Sequence, residues 1–256
     1  MVLSSPIPQK TSNAQTTLHF RCFGIFSFLG DHGWEVGPPL KRGREFLEYL
    51  ATHARSMVAH GTLADAFWPN IDTDTVGHRL HLAVSGARAA LRQASGAFNP
   101  IRCANGAYGW HPSIIVRSDA MRFDECYNNC SPEAALEGVN LYAGEFLAGE
   151  EKDWIIPIRL RYASAYVAML EYLAAEATRR GDHQTALRHA LQLVETDRSH
   201  EGAARLSMCC LGRLGCRALA LAQYEQLRSY LKMHLGVKPT EETEQLRSRI
   251  LKGEPD

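Results

Sequence analysis

His78 and His81 stand three residues apart in a segment of helical periodicity, so their imidazoles share one helix face and could grip a metal ion together. Cys126 and Cys130 stand one helical turn apart. A metal centre needs three or four ligands, and neither pair has a placeable partner to complete it. The histidines therefore read as groups facing solvent or phosphate, and the cysteines as small core residues. The seven cysteines, at positions 22, 103, 126, 130, 209, 210 and 216, contain no C-x-x-C pair. They fit reduced thiols better than a disulfide framework. The sequence has no G-x-x-x-x-G-K-[ST], no G-x-G-x-x-G, no H-E-x-x-H and no G-x-S-x-G. The expectation is a protein that is not an enzyme, with no metal and no cofactor.

The composition bounds the elements that could position other chemistry. At 256 residues, 45% hydrophobic and 22% charged, the chain can bury a sizeable core in one or two domains. No apolar run reaches the roughly 18 residues of a membrane span. Residues 1–17 lack the apolar stretch of a secretory signal and read as a flexible polar tail. A cytoplasmic protein with no membrane partner is expected. The net charge of zero hides an asymmetry: residues 1–118 carry 11 Lys+Arg against 7 Asp+Glu, and residues 119–256 carry 17 against 21. A mildly basic half joined to a mildly acidic one suggests two domains with different partners.

In the first half, Leu18, Phe20 and Cys22 alternate with His19 and Arg21 as in a strand, the DHG at 31–33 reads as a turn, and Trp34 and Val36 as its return strand. From Lys41 the period becomes helical, with Phe46, Leu47, Leu50, Ala51 and Ala54 on one face. A short helix carries Leu63 and Phe67 and stops at Pro69. A third helix, opened by Asp72 and Asp74, runs from about Thr75 to Gln93 with Leu80, Val84, Ala87 and Leu91 inward. Asn105-Gly106 between Ile101–Cys103 and Tyr108–Trp110 predicts a hairpin.

The second half is helical to its end. Ser131-Pro132-Glu133 is a helix start. Helices are predicted at about 153–180, 183–195, 200–213, 216–235 and 241–251, with Gly181, Gly215, Gly236 and Pro239 as breaks. Gly181, Ala186, Leu187 and Leu193 recur 34 positions later as Gly215, Ala220, Leu221 and Leu227. That is the tetratricopeptide (TPR) period, in which stacked helix pairs form a concave surface. The expected fold class is mainly α: short strands, three helices and a hairpin at 18–118, then an all-α TPR-like domain at 119–256.

These segments resemble the antibiotic-regulatory (SARP) class of bacterial transcriptional activators, which join an OmpR-type winged helix to a bacterial transcriptional activation domain. The resemblance is carried by FRCFGIFSF at 20–28, KRGREFLEYLATHA at 41–54, LADAFWP at 63–69, HRLHLAVSGARAALR at 78–92 and IRCANGAYGW at 101–110. It continues in YAGEFLAGEEKDW at 142–154 and ALAQYEQLRSYLKMHLGVKPTEET at 220–243. It implies that 18–118 is an N-terminal winged helix-turn-helix with a wing hairpin, and that the chain is a transcriptional activator that binds promoter DNA. It also implies a helical domain that forms a homodimer or contacts RNA polymerase, with Trp154 and Tyr224 as core anchors of that domain.

In a winged helix the third helix enters the major groove and the hairpin reaches an adjacent groove or phosphate. The candidate DNA-binding residues are His78, Arg79, His81, Ser85, Arg88 and Arg92 on the helix, and Arg102 and Asn105 on the wing. Trp68 and Trp110 read as packing residues. Where the family typically has Arg-Leu-Arg, this chain has Gly86-Ala87-Arg88, and Ala104 stands where related wings often have Arg. Ala83, Gly86 and Ala90 then leave the expected DNA face thin in donors. Arg88 has an alternative role as an ion-pair partner of Glu45 or Glu48. A second function stays open, in which the winged helix has become a protein-interaction or ligand-sensing module.

Overall fold

A computed structural model of the chain describes residues 16–29, 41–69, 71, 73–95, 99–129 and 131–254. They fall into two compact units. The first comprises the described residues up to Met121 together with Gly144–Pro157, and the second Arg122–Ala143 with the described residues from Ile158 onward.

In the first unit, β1 (Thr16–Arg21) buries Leu18 and Phe20 and exposes His19 and Arg21, the alternation its sequence demands. Thr16 and Thr17, assigned to the polar tail by sequence, belong to this strand. β1 pairs antiparallel with β2 (Ser27–Leu29). It pairs parallel with β6 (Ile114–Ser118). Gly24 takes φ +82° and turns the chain between β1 and β2. Residues 31–36 and Asp72 lie outside the described residues. Helix α1 (Lys41–Thr52), strand β3 (Val58–Ala59), and helices α2 (His60–Phe67) and α3 (Thr73–Ser95) follow. Ala54 falls just beyond α1. Strands β4 (Ile101–Ala104) and β5 (Ala107–Trp110) form the predicted hairpin, and β3 adds to it in the order β3-β5-β4. Asn105 at φ +50° and Gly106 at φ +69° give the left-handed pair that a tight hairpin turn needs.

Small residues set the spacing of α1 and α3. A Cβ on Gly43 would lie 3.0 Å from the Ala87 nitrogen and 3.1 Å from the Gly86 carbonyl carbon. Ala87 is fully buried there. Near the C-terminal end of α1, the Trp110 indole nitrogen donates to the Leu50 carbonyl at 3.1 Å. Trp68 and Trp110 are both buried, as expected of packing residues.

The segment 144–157, which the sequence-based cut at 118/119 places with the helical domain, lies in the first unit as a strap. The Leu147 N–H donates to the Cys22 carbonyl at 2.7 Å, and the Gly24 N–H to the Glu145 carbonyl at 2.9 Å. Phe146 meets Phe23 edge-on at 6.3 Å, and Phe146 and Leu147 are fully buried. Trp154 packs on Tyr49 of α1, ring centroids 4.8 Å apart. It is therefore a half-buried anchor of the first unit and not of the helical domain. Its 3-10 turn (Asp153–Ile155) precedes α6. Nearby, the Asp119 carboxylate accepts the backbone N–H groups of Cys22 and Phe23, at 2.7 and 3.1 Å.

The second unit holds most of α4 (Asp119–Asn129), α5 (Pro132–Leu141), α6 (Ile156–Arg179), α7 (His183–Thr196), α8 (Glu201–Arg213), α9 (Arg217–Tyr230) and α10 (Glu241–Lys252). Ser131 caps α5 by accepting the Ala134 N–H, with Pro132 at the first turn. Cys126 is a buried core residue, and Cys130 lies outside the described residues. The 34-residue repeat is structural. Gly181 and Gly215 take φ +74° and +76°. The Asp182 N–H reaches the Ala177 carbonyl at 2.9 Å, and the Cys216 N–H the Leu211 carbonyl at 2.8 Å. Ala186 and Ala220 are fully buried in α7 and α9. A π-helical turn (Leu231–Leu235) ends at Gly236. Met208, Leu211, Ala220, Tyr224, Leu246 and Ile250 make one core across α8, α9 and α10.

Candidate nucleic-acid interface

Helix α3 has two clean faces. Val76, Leu80, Ala83, Val84, Ala87, Ala90 and Leu91 are buried. Opposite them, His78, Leu82, Ser85, Ala89 and Arg92 recur every three or four residues and are exposed, with His81 beside them. Arg79 is exposed a quarter-turn away. Ala83 and Ala90 therefore do not thin the outer face, because they belong to the inner one. Gly86 sits between the faces, against Gly43 of α1 at 3.8 Å from where its Cβ would be. The small residues in the Gly86-Ala87 pair serve the α1–α3 approach. Leu82 and Ala89 carry no hydrogen-bond donor to mark them in the sequence, although the seven-residue series 78, 85, 92 already brackets them. Leu82 is 57% exposed, an apolar side chain amid polar ones.

Arg88 is at the edge of the outer face and is half-buried. Its Nε and Nη2 donate to the Ile101 carbonyl at 3.1 and 2.8 Å, which fastens the first residue of β4 to α3. The alternative of an ion pair with α1 is not realised. Glu45 and Glu48 are buried and take other cations. Glu45 meets Arg42 at 3.2 Å and the Lys152 ammonium of the strap at 3.1 Å. Glu48 accepts from Arg44 Nε at 2.8 Å, and Arg44 also reaches Glu150 of the strap at 3.7 Å. Burial pushes the Glu48 carboxyl up to about 7 against the pull of the Arg44 guanidinium.

The wing presents Arg102 and Asn105 to solvent. Its tip is tied back to the start of α2. The His60 N–H donates to the Gly106 carbonyl at 2.9 Å, and the His60 ring stacks on Tyr108 at 4.7 Å. His60 was not among the sequence candidates, since nothing in its local pattern announces a contact 46 residues away. His78 and His81 stay exposed, and no group of three metal-ligating side chains occurs among the described residues.

Arg88 thus links α3 to the first strand of the hairpin. The profile of the family described as "Bacterial transcriptional activator domain" matches residues 124–251, half of the chain. The chain belongs to that family. This bacterial transcriptional activator domain chain is 26% identical over 241 residues to the regulatory protein AfsR of Streptomyces coelicolor. That match covers 90% of this chain but only 24% of AfsR, so the chain spans about a quarter of the length of the relative. Among solved structures it is similar to Mycobacterium tuberculosis EmbR in complex with a low-affinity phosphopeptide, with a TM-score of 0.70 at 17% identity. The likeness covers 94% of this chain and 66% of that one, and it shows the fold. The SARP-type recognition and the mainly α fold class with N-terminal strands read from sequence are thus borne out. Among the described residues, no helix is long and apolar enough to cross a membrane.

Proposed function

We propose that the chain is a DNA-binding transcriptional activator whose α3 lies in the major groove of a promoter while the β4–β5 wing reaches an adjacent groove or phosphate. The observation that supports this is the exposed face of α3, where His78, His81, Ser85 and Arg92 stand opposite the buried face, on a helix that Arg88 fastens to the first residue of the hairpin. Arg92 and Arg102 supply phosphate or base contacts, His78, His81 and Ser85 supply polar contacts, and Leu82 offers an apolar surface to a thymine methyl. Arg79 contacts the flanking backbone. Arg88 positions the wing against the helix. The TPR-like domain forms a homodimer or contacts RNA polymerase.

A gel shift with the DNA upstream of the protein's own gene tests this. The expected result is a specific complex that weakens as salt rises, because phosphate contacts release counterions. A complex indistinguishable from that with unrelated DNA would support the second reading. In that reading the exposed Leu82 marks α3 as a protein-interaction surface.

A further inference from the structure

The second unit carries 16 Lys+Arg against 16 Asp+Glu, yet one end of it collects cations. A cavity of about 520 Å³ is lined by Arg228 of α9, Lys232 of the π-helical turn, Lys238 of the following loop and Arg247 of α10. Gly236, at φ +69°, reverses the chain so that Lys238 returns to the cavity that Lys232 lines. The dipole of α9 ends here and accounts for Arg228 and Lys232. It does not account for Lys238 and Arg247, which come from other segments. Glu244 is the one carboxylate lining the cavity, and its Oε1 already accepts the Tyr224 hydroxyl at 2.6 Å. Arg247 lies over the Tyr224 ring at 5.0 Å, and Arg228 meets Glu225 at 3.2 Å. Among the described residues, Lys232 and Lys238 make no ion pair.

We propose that this cavity binds a phosphorylated small molecule, its phosphate oxygens held by Lys232, Lys238 and Arg247. Two lysines and an arginine lining one space match a multiply charged oxyanion better than a single carboxylate. The volume is that of a ligand pocket rather than of a lone phosphate ion. The open apolar side of Val237 leaves room for a non-phosphate moiety. This assignment is independent of DNA binding by the first unit.

Calorimetric titration of the full chain with ADP, pyrophosphate and adenosine tests it. ADP and pyrophosphate bind, and adenosine, which lacks phosphate, does not. The Lys232→Ala/Lys238→Ala double variant weakens both phosphate probes by about tenfold or more, the loss of charge-assisted hydrogen bonds. Both lysines are exposed, so the variant keeps its fold, which circular dichroism verifies. Arg198→Ala, a cation outside this cavity, leaves binding unchanged. No binding of either probe at millimolar concentration overturns the proposal, as does binding that the double variant leaves intact. Duplex DNA that competes with pyrophosphate on the wild type, and whose own affinity for the chain the double variant lowers, would place the phosphate on a nucleic-acid backbone, and that too overturns it.

Discussion

The Arg88 guanidinium holds the carbonyl of Ile101 through two N–H groups, at 3.1 and 2.8 Å, and so sets where the wing stands relative to α3. Arg88→Ala frees that carbonyl and costs about 1.5–3 kcal/mol of stability, the range for a hydrogen bond to a charged group. It also weakens DNA binding by misplacing the wing, while the slope of log K against log salt stays the same. Arg92→Ala leaves stability unchanged and flattens that slope by about 0.9, as loss of one phosphate contact does. Titrations at two salt concentrations, with thermal melts beside them, separate the two. A flattened slope for Arg88→Ala would make it a direct phosphate contact.

Gly43 and Gly86 touch one another, yet replacement by Ala has opposite signs at the two sites. At Gly43 the new Cβ meets backbone atoms at 3.0 and 3.1 Å, and backbone cannot swing aside. The overpacking costs about 1–3 kcal/mol, more than the roughly 1 kcal/mol that Ala adds in helix propensity. At Gly86 the nearest atom is 3.8 Å away, an ordinary contact. Gly86→Ala therefore stabilises by up to about 1 kcal/mol. Urea denaturation of both variants checks the pair.

Glu48 makes stability depend on pH. Its carboxyl is raised from the ordinary 4.5 to about 7, so the folded state holds the proton more tightly than the unfolded state. The resulting stabilisation is fully present below about 4.5 and is lost as pH rises through about 7. Glu48→Gln keeps an acceptor for Arg44 without the buried charge. Relative to wild type, the variant gains about 1–3 kcal/mol at pH 8 and little at pH 5. Melting curves of both proteins in the two buffers show this, and an equal difference at both pH values would refute it.

The strap contributes core and not only connection. Phe146 is fully buried against Phe23, so Phe146→Ala destabilises the first unit by about 3–5 kcal/mol. Trp154 is only half-buried on Tyr49, and Trp154→Ala costs less than Phe146→Ala. Hydrogen exchange of the β1 amides reports the loss, since the strap bonds to Cys22 and Gly24 just beyond that strand.

Local signals made most of the fold legible. Asn105-Gly106 named its turn, Ser131-Pro132 its helix start, and Gly181 and Gly215 their repeat, because each acts within a few residues of itself. Strands β3 and β6 gave no such signal: Val58–Ala59 is two residues long, and Ile114–Val116 is half-buried without alternation. The placement of the strap was also hidden, since Phe146 and Leu147 look the same in sequence whichever core they enter. In the candidate interface, donors on α3 could be placed by helical spacing. The engagement of Arg88 could not, because its acceptor is a backbone carbonyl 13 residues on. Ala83 and Ala90 carry no donor whichever face they occupy, and only their burial assigns them to the inner face.

The strap also sets an order of events at the ribosome. Once Met121 has been made, the first unit still lacks Phe146 and Leu147, and the intervening Arg122–Ala143 belongs to the second unit. Synthesis to Pro157 takes roughly 2–7 seconds longer at about 5–20 residues per second. During that interval Phe23 has no Phe146 to cover it, and the nascent winged helix waits, incomplete, for a piece of chain that arrives only after the second unit has begun to appear.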